Sequence, residues 1–465
     1  MWPLGSVSAM RALWIVPLLV AAALAGCLDD AETDDAVVET PPVAEILDPV
    51  AYNATQFGSH PAFGFPTFTD YAGFTGTELP DAWVPPAAAE VPEVLTGLEH
   101  LAQVEGVSAG AGIATFGHYA IVSGNGPGAI VDIADPTAPV KVADLDISIR
   151  DADVLAFPDG RLVAVLASNG PIHVFDITDP TAPIQLPSLE VGSHNAAVVP
   201  GTPIVYNANS RGGADNGLFS PDALLGNGVG KTEIFDLSDP ENPIRLDDFQ
   251  NGYGCHDITF HITKEKQRAY CAGIEMTQIW DISDPAAPVV LADIPVHHGV
   301  AGTPSASVPL VFFSHLAMVN SDASVLIVGD ETGGGLANAC DKYVDGQAQT
   351  VAGPTGNLWF YDISDEKSPM LLSMINPDNP ALSTEYDAES LAGCTAHFGR
   401  LIEDRDVLAM AFYGAGVVLI DFSDPSHPVI IDQFMPGTNT WDVWFWQGYL
   451  FTGDLNRGMD VLALT

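Results

Sequence analysis

Apart from one unbroken apolar run near its start, Ala12 to Ala25, the chain alternates between apolar and polar positions in short bursts. Ile172-His173-Val174-Phe175, Val140-Lys141-Val142 and Ile244-Arg245-Leu246 are representative. Alternation with period two, carried by β-branched and aromatic residues, predicts strands. Helical periodicity is absent beyond residue 27, so an all-β chain is expected. Many of these bursts end on an aspartate followed by the same kind of turn. The copies are VDIADPTAP, FDITDPTAP, FDLSDPENP, WDISDPAAP, YDISDEKSP and IDFSDPSHP, whose leading aspartates are Asp132, Asp176, Asp236, Asp281, Asp362 and Asp421. Asp at the first turn position with Pro at the second is type I turn chemistry, and these aspartates are expected to be structural. The alternating run after the turn begins just behind a proline, which an edge strand tolerates.

The aspartates are 44, 60, 45, 81 and 59 residues apart. The short intervals match a four-stranded propeller blade of roughly 40–45 residues, and the long ones contain insertions. A seventh, degenerate copy, Gly458-Met459-Asp460-Val461-Leu462, stands at the end. It lacks an outer strand, and Pro92-Glu93-Val94-Leu95-Thr96-Gly97-Leu98 has that pattern with no blade in front of it. Residues 92–98 are therefore expected to complete blade 7, and 92–465 to form a seven-bladed β-propeller closed by its N-terminal strand. The pattern resembles the LVIVD-repeat family, and that resemblance implies the same propeller fold; it says little about activity.

The apolar run changes the picture of where this domain resides. Arg11, the run, and Leu24-Ala25-Gly26-Cys27 form a signal peptide too short to span a bilayer. The last four residues resemble a lipoprotein lipobox, which implies cleavage before Cys27, lipidation of its thiol and anchoring on the outer face of the membrane. Met10 is a second candidate start. Residues 28–50 read as an acidic tether and 51–91, rich in aromatics, as a strap along the propeller. The net charge of −45 comes from 15 basic and 60 acidic residues, which disfavours nucleic acid and anionic lipid as partners. A monomer is expected, with a surface protein or a glycan as partner. Outside Cys27 the cysteines number four. Export favours two disulfides, expected as Cys255–Cys271 across neighbouring strands and Cys340–Cys394 at the channel mouth.

Candidate chemistry emerges when the starts of the innermost strands are aligned. Blade by blade they are Glu105-Gly106, Ala152-Asp153, His194-Asn195, His256-Asp257, His315-Leu316, His397-Phe398 and Trp441-Asp442. Four of the chain's twelve histidines thus share one position in four consecutive blades. Converging imidazoles would hold one transition metal ion, iron, copper or zinc, with Glu105 as the carboxylate behind the ligands or as a general base. This layout is similar in position to the four-histidine iron site of carotenoid cleavage oxygenases and to the histidine-rich selenium-binding/methanethiol oxidase propellers, neither of which shares the turn motif. The competing expectation is structural: His–Asp pairs that bond the neighbouring blade and cap the channel. Asp330-Glu331 and His297-His298 open or occupy insertions. No P-loop or helix-opening GxGxxG is present. Two classes of function remain: a surface propeller that binds a partner, or a metal-dependent extracytoplasmic oxidoreductase.

Overall fold

The computed structural model describes residues 86–465 except 108–109, 158, 169, 210–229, 253, 264–265, 274–275, 296–313, most of 332–355, 376–394 and 437–438. It also gives the backbone of the short paired strands Phe57–Gly58 and Phe65–Pro66, and of Lys342–Val344 and Gln347–Gln349. Cys27, the tether, most of the strap, His297-His298, Cys340 and Cys394 lie outside the described residues.

No helix occurs among the described residues, and seven antiparallel sheets follow one another along the chain. Blade 1 runs Ile113–Phe116, Tyr119–Val122, Gly124–Asp132, Val140–Ile149. Blade 2 runs Asp151–Ala156, Leu162–Ala167, Ile172–Asp176, Ile184–Leu189, and blade 4 Asp257–Ile262, Gln267–Ala272, Met276–Asp281, Val289–Pro295. Blade 5 is Ser314–Val319, Val325–Asp330, Leu358–Asp362, Met370–Ile375, and blade 6 Gly399–Leu401, Val407–Ala411, Val417–Asp421, Val429–Phe434. Blade 3 (Asn195–Val198, Ile204–Ala208, Gly230–Asp236) splits its outer strand into Ile244–Arg245 and Phe249–Gly252, both paired to the third strand. The chain is a seven-bladed β-propeller.

The repeated aspartates hold the turns. Oδ1 of Asp132, Asp176, Asp236, Asp281, Asp362 and Asp421 each accepts the amide two residues on. The second aspartate of each turn closes an i→i+3 backbone bond, as from Ala138 N–H to the Asp135 carbonyl. This places Pro136 at the second turn position, where its fixed φ fits. The core lies between blades, where inner strands bury nearly every residue: Trp444 and Trp446 of blade 7 are 2% exposed and donate to Thr115 Oγ1 and the Gly117 carbonyl of blade 1.

Blade 7 (Thr440–Trp446, Tyr449–Asp454, Asp460–Leu464) is completed by an N-terminal strand, but that strand is Leu98–Gln103 rather than 92–98. Elsewhere the outer strand begins directly behind the turn; here no turn feeds it, and its register is set by the C-terminal strand, Leu98 facing Leu464 and Gln103 facing Asp460. Asp460 therefore starts a third strand instead of ending one, and is not a counterpart of the repeat aspartates. The preceding residues still touch the ring: the Ala89 amide donates to the Gln447 carbonyl, and Val91 and Leu95 pack on blades 6 and 7.

Candidate functional site

Each inner strand starts at the same end of the channel, and the residue just before or at that start points into its mouth. His194, His256 and His397 are fixed there by one backbone bond apiece, donating to the last residue of the second strand: Ala208, Ala272 and Ala411. Arg150 makes the same bond to Ala167, and Ala111 to Ser123. His315 and Trp441 sit in bulges, between Ser314 and Leu316 and between Thr440 and Asp442. Around the mouth the order is thus Ala111, Arg150, His194, His256, His315, His397, Trp441.

Two positions differ from the sequence alignment. In blade 2 the ring residue is Arg150, not Ala152. In blade 1 the inner strand starts at Ile113, and Glu105 lies exposed in the turn after Gln103. Glu105 therefore does not stand among the histidines. The crossing from the closing strand to blade 1 passes beside blade 7, with Gly110 N–H bonded to the Asp454 carbonyl. Gly453 permits this: a Cβ there would collide with the Ala111 carbonyl.

The four histidines come together. Neighbouring ring centroids are 4.0 Å apart for His194–His256, 4.3 Å for His256–His315 and 3.9 Å for His315–His397, and Trp441 follows at 4.3 Å from His397. Their ligand atoms fall into two overlapping sets, each with all members within 4.8 Å: His194, His256, His315, and His315, Glu331, His397. Glu331 supplies the carboxylate, standing 3% exposed directly after the second strand of blade 5. Its Oε2 is 3.6 Å from His315 Nε2 and its Oε1 3.7 Å from His397 Nε2. Ligands sharing an ion at bonds of about 2.1 Å stand roughly 3–4 Å from one another, so these separations leave room for one.

The orientation of the rings matters as much as their proximity. His397 Nδ1 donates to the Trp441 carbonyl, 2.6 Å away. A carbonyl only accepts, so the nitrogen facing it carries the proton and the other nitrogen keeps its lone pair. For His397 that other nitrogen, Nε2, is buried without a hydrogen-bond partner. Burial, more than neighbouring charge, holds the imidazoles neutral: it takes His315 down to about 3 and His256 and His397 well below the ordinary histidine value. Burial also pushes Glu331 up to about 8, against the hydrogen bond donated by Tyr413 and the charge of Arg150.

Two further members of the site were not anticipated. Tyr413 donates its hydroxyl to Glu331 Oε1 from a residue with φ of +44°, a left-handed conformation unusual for an aromatic residue. Arg150 lies over the Trp441 ring, its guanidinium carbon 5.2 Å from the centroid. Below the ring lies a polar layer. Asp442 accepts from the Ile113 amide of blade 1 and pairs with Arg400 at 3.3 Å, and Asp153 accepts from the Val198 amide of blade 3. Those two aspartates tie neighbouring blades; burial pushes Asp257 up to about 7. Cys255, next to His256, is disulfide-bonded to Cys271 across the first two strands of blade 4, Cα–Cα 5.4 Å.

Residues 110–146 and 410–435, within blades 1 and 6, match the family model of the LVIVD repeat. No curated protein matches the chain. Among solved structures, the β-propeller domain of Cps50 (Swd1) from Myceliophteria thermophila is similar, with a TM-score of 0.48 and 8% identity, covering 77% of this chain and 98% of that one.

Proposed function

We propose that this LVIVD-repeat β-propeller is a lipid-anchored, extracytoplasmic protein that holds a transition metal ion, iron, copper or zinc, at the histidine mouth of its channel. The observation that carries the reading is the orientation of His397. Its Nδ1 is spent on the Trp441 carbonyl, and its Nε2, which makes no hydrogen bond, faces Glu331 beside the neutral imidazoles of His256 and His315. A histidine anchored through one nitrogen to a carbonyl, with the other left for a metal, is how metal-bound histidines are ordinarily fixed. His194, His256, His315 and His397 are the proposed ligands, with Glu331 in the place expected for Glu105. Such an ion would supply Lewis-acid or one-electron chemistry, and this points to an extracytoplasmic oxidoreductase. The extracytoplasmic location rests on Arg11, the apolar run and Cys27, and the Cys255–Cys271 disulfide suits an oxidising compartment.

A specific observation also supports partner binding. The long connections anchored at Ala208 and Gly230, Pro295 and Ser314, Asp330 and Leu358, and Ile375 and Gly399 all leave and rejoin at the end where the inner strands begin. A surface protein or glycan would therefore dock on the histidine face, above the proposed metal. Metal analysis of the ectodomain, residues 28–465, after exhaustive dialysis separates the roles. About one iron, copper or zinc per chain is expected; a metal-free protein from metal-replete medium leaves only the docking role.

A further inference from the structure

The outermost strand of each blade turns one row of backbone N–H and C=O groups outward, and such an edge accepts a further strand unless something blunts it. Blade 1 blunts its edge with Lys141 and Asp144, blade 4 with Asp293, blade 6 with Asp432 and the closing strand of blade 7 with Glu99. Blade 2 carries Pro187, and blade 3 breaks its outer strand after Arg245. The outer strand of blade 5, Met370–Ile375, has neither charge nor proline and reads Met-Leu-Leu-Ser-Met-Ile. It pairs with Leu358–Asp362 on one side and with no described strand on the other. Its side chains lie open as well, Met370 being 57%, Leu371 41% and Met374 45% exposed. The outer strands of blades 1, 2, 3, 4 and 6 each expose one large apolar residue, directly behind the turn.

The contrast is sharpest at one position of the ladder, opposite the third-strand residue three places before the repeat aspartate. There blade 1 sets Asp144 against Ala129, and blade 4 sets Asp293 against Gln278. Blade 5 sets Met374 against Trp359. Charge then selects the strand this edge would accept. With 60 acidic residues against 15 basic ones, the surface repels an anionic partner and draws a cationic one to the edges that carry carboxylates. An uncharged, unbroken edge suits an uncharged strand, and Met370–Ile375 of a second copy is one. Along it two such acidic chains meet without setting carboxylates of the paired strands against each other.

We infer that the protein self-associates through blade 5, the Met370–Ile375 strands of two copies pairing antiparallel so that two blades become one sheet. A two-fold axis relates an edge strand to its own copy in that sense. This dimer replaces the monomer expected from the sequence and is independent of the histidine mouth. A six-residue strand falls short of the roughly 20–30 residues a side of a standard interface, so the association is reversible.

Sedimentation velocity of residues 28–465 tests it, in about 0.1 M and about 1 M KCl, where charge is screened beyond about 10 Å and about 3 Å. Between about 5 and 500 μM the wild type should pass from monomer to dimer, at least about tenfold more tightly in the higher salt. Met374→Asp, which gives blade 5 the carboxylate of blades 1 and 4, should weaken dimerisation at least about tenfold at unchanged melting temperature. Leu371→Glu on the same strand should act alike, and it decides the matter if Met374→Asp does not fold. Val289→Asp, on the exposed start of the blade 4 edge, should leave dimerisation as it is. A dimer indifferent to both blade 5 variants overturns this contact, and a wild type monomeric throughout overturns the dimer. If hydrogen peroxide also spares Met370 and Met374 in that monomer, the chain's own residues 51–85 are the occupant of the edge instead.

Discussion

His397 donates from Nδ1 to the carbonyl of Trp441 on the next blade, 2.6 Å away, and this bond decides which of its nitrogens faces the channel. The bond joins two blades and orients a candidate ligand at once. The structural expectation for the histidines and the metal expectation are therefore not exclusive: one nitrogen serves each.

Replacing His256 with Ala should lower retained metal by at least about tenfold, as loss of one ligand from a multidentate site does. The fold should survive, since the Asp257–Ile262 strand keeps its ladder to Gln267–Ala272. His173, on the third strand of blade 2 and bonded to Ser188 and Gln185, is the control. His173→Ala should leave metal content unchanged in the same elemental analysis.

Closure predicts a sharp length dependence. Removing residues 28–85 should leave the propeller folded. Removing 28–103 takes away the partner of Asp460–Leu464 and exposes that edge. The longer truncation should aggregate or melt about 10 °C lower in a calorimetric scan, and equal melting of the two proteins would refute the role of Leu98–Gln103.

The Cys255–Cys271 bridge closes a loop of 16 residues. Cys255→Ser with Cys271→Ser should cost about 3 kcal/mol in denaturant unfolding. Peptide mapping without reductant should find this pair together, and Cys340 joined to Cys394.

Acid should weaken the fold through His261, far from the channel mouth. Burial first, then Lys266 and Arg268, lower it to about 4, while Asp322 and Glu366 act the other way. Its folded value lies below the unfolded value of about 6.5. The unfolded chain therefore takes up the proton first as pH falls, and stability is lost between pH 6.5 and 4. His261→Gln should lose about 2 kcal/mol less than the wild type between pH 7 and 4.5 in paired urea melts; parallel losses would exclude His261 as the cause.

The fold was legible because its signal is local. Each Asp-Pro turn is fixed by residues within four positions of one another, so six copies announce six blades however long the insertions between them. The site was legible only where the same locality held. His194 and His256 were found because a strand starts directly behind them. Arg150 was missed because Asp151-Ala152-Asp153 offers two aspartates two positions apart. Period-two alternation cannot tell them apart, and Asp153, which binds Val198, drew the alignment. Glu331 was visible as a loop residue of the right face but without a direction. Tyr413 gave no signal, because its aim depends on a backbone conformation normally left to glycine or asparagine. Glu105 was misplaced by assuming that the closing strand follows the same spacing as strands fed by a turn.

The clasp between Leu98–Gln103 and Asp460–Leu464 also has a consequence in time. His100 bonds Asp460 across 360 positions of sequence. At synthesis rates of about 5–20 residues per second, the first partner waits on the order of tens of seconds for the second to exist. Loop closure over such a span is slow by itself. Through that interval the closing strand has no partner and the ring stays an open arc, with the apolar face of blade 1 that blade 7 will cover left bare. The strand that seals the ring is made before any blade and used after all of them, so the ring closes only once Asp460–Leu464 has been made.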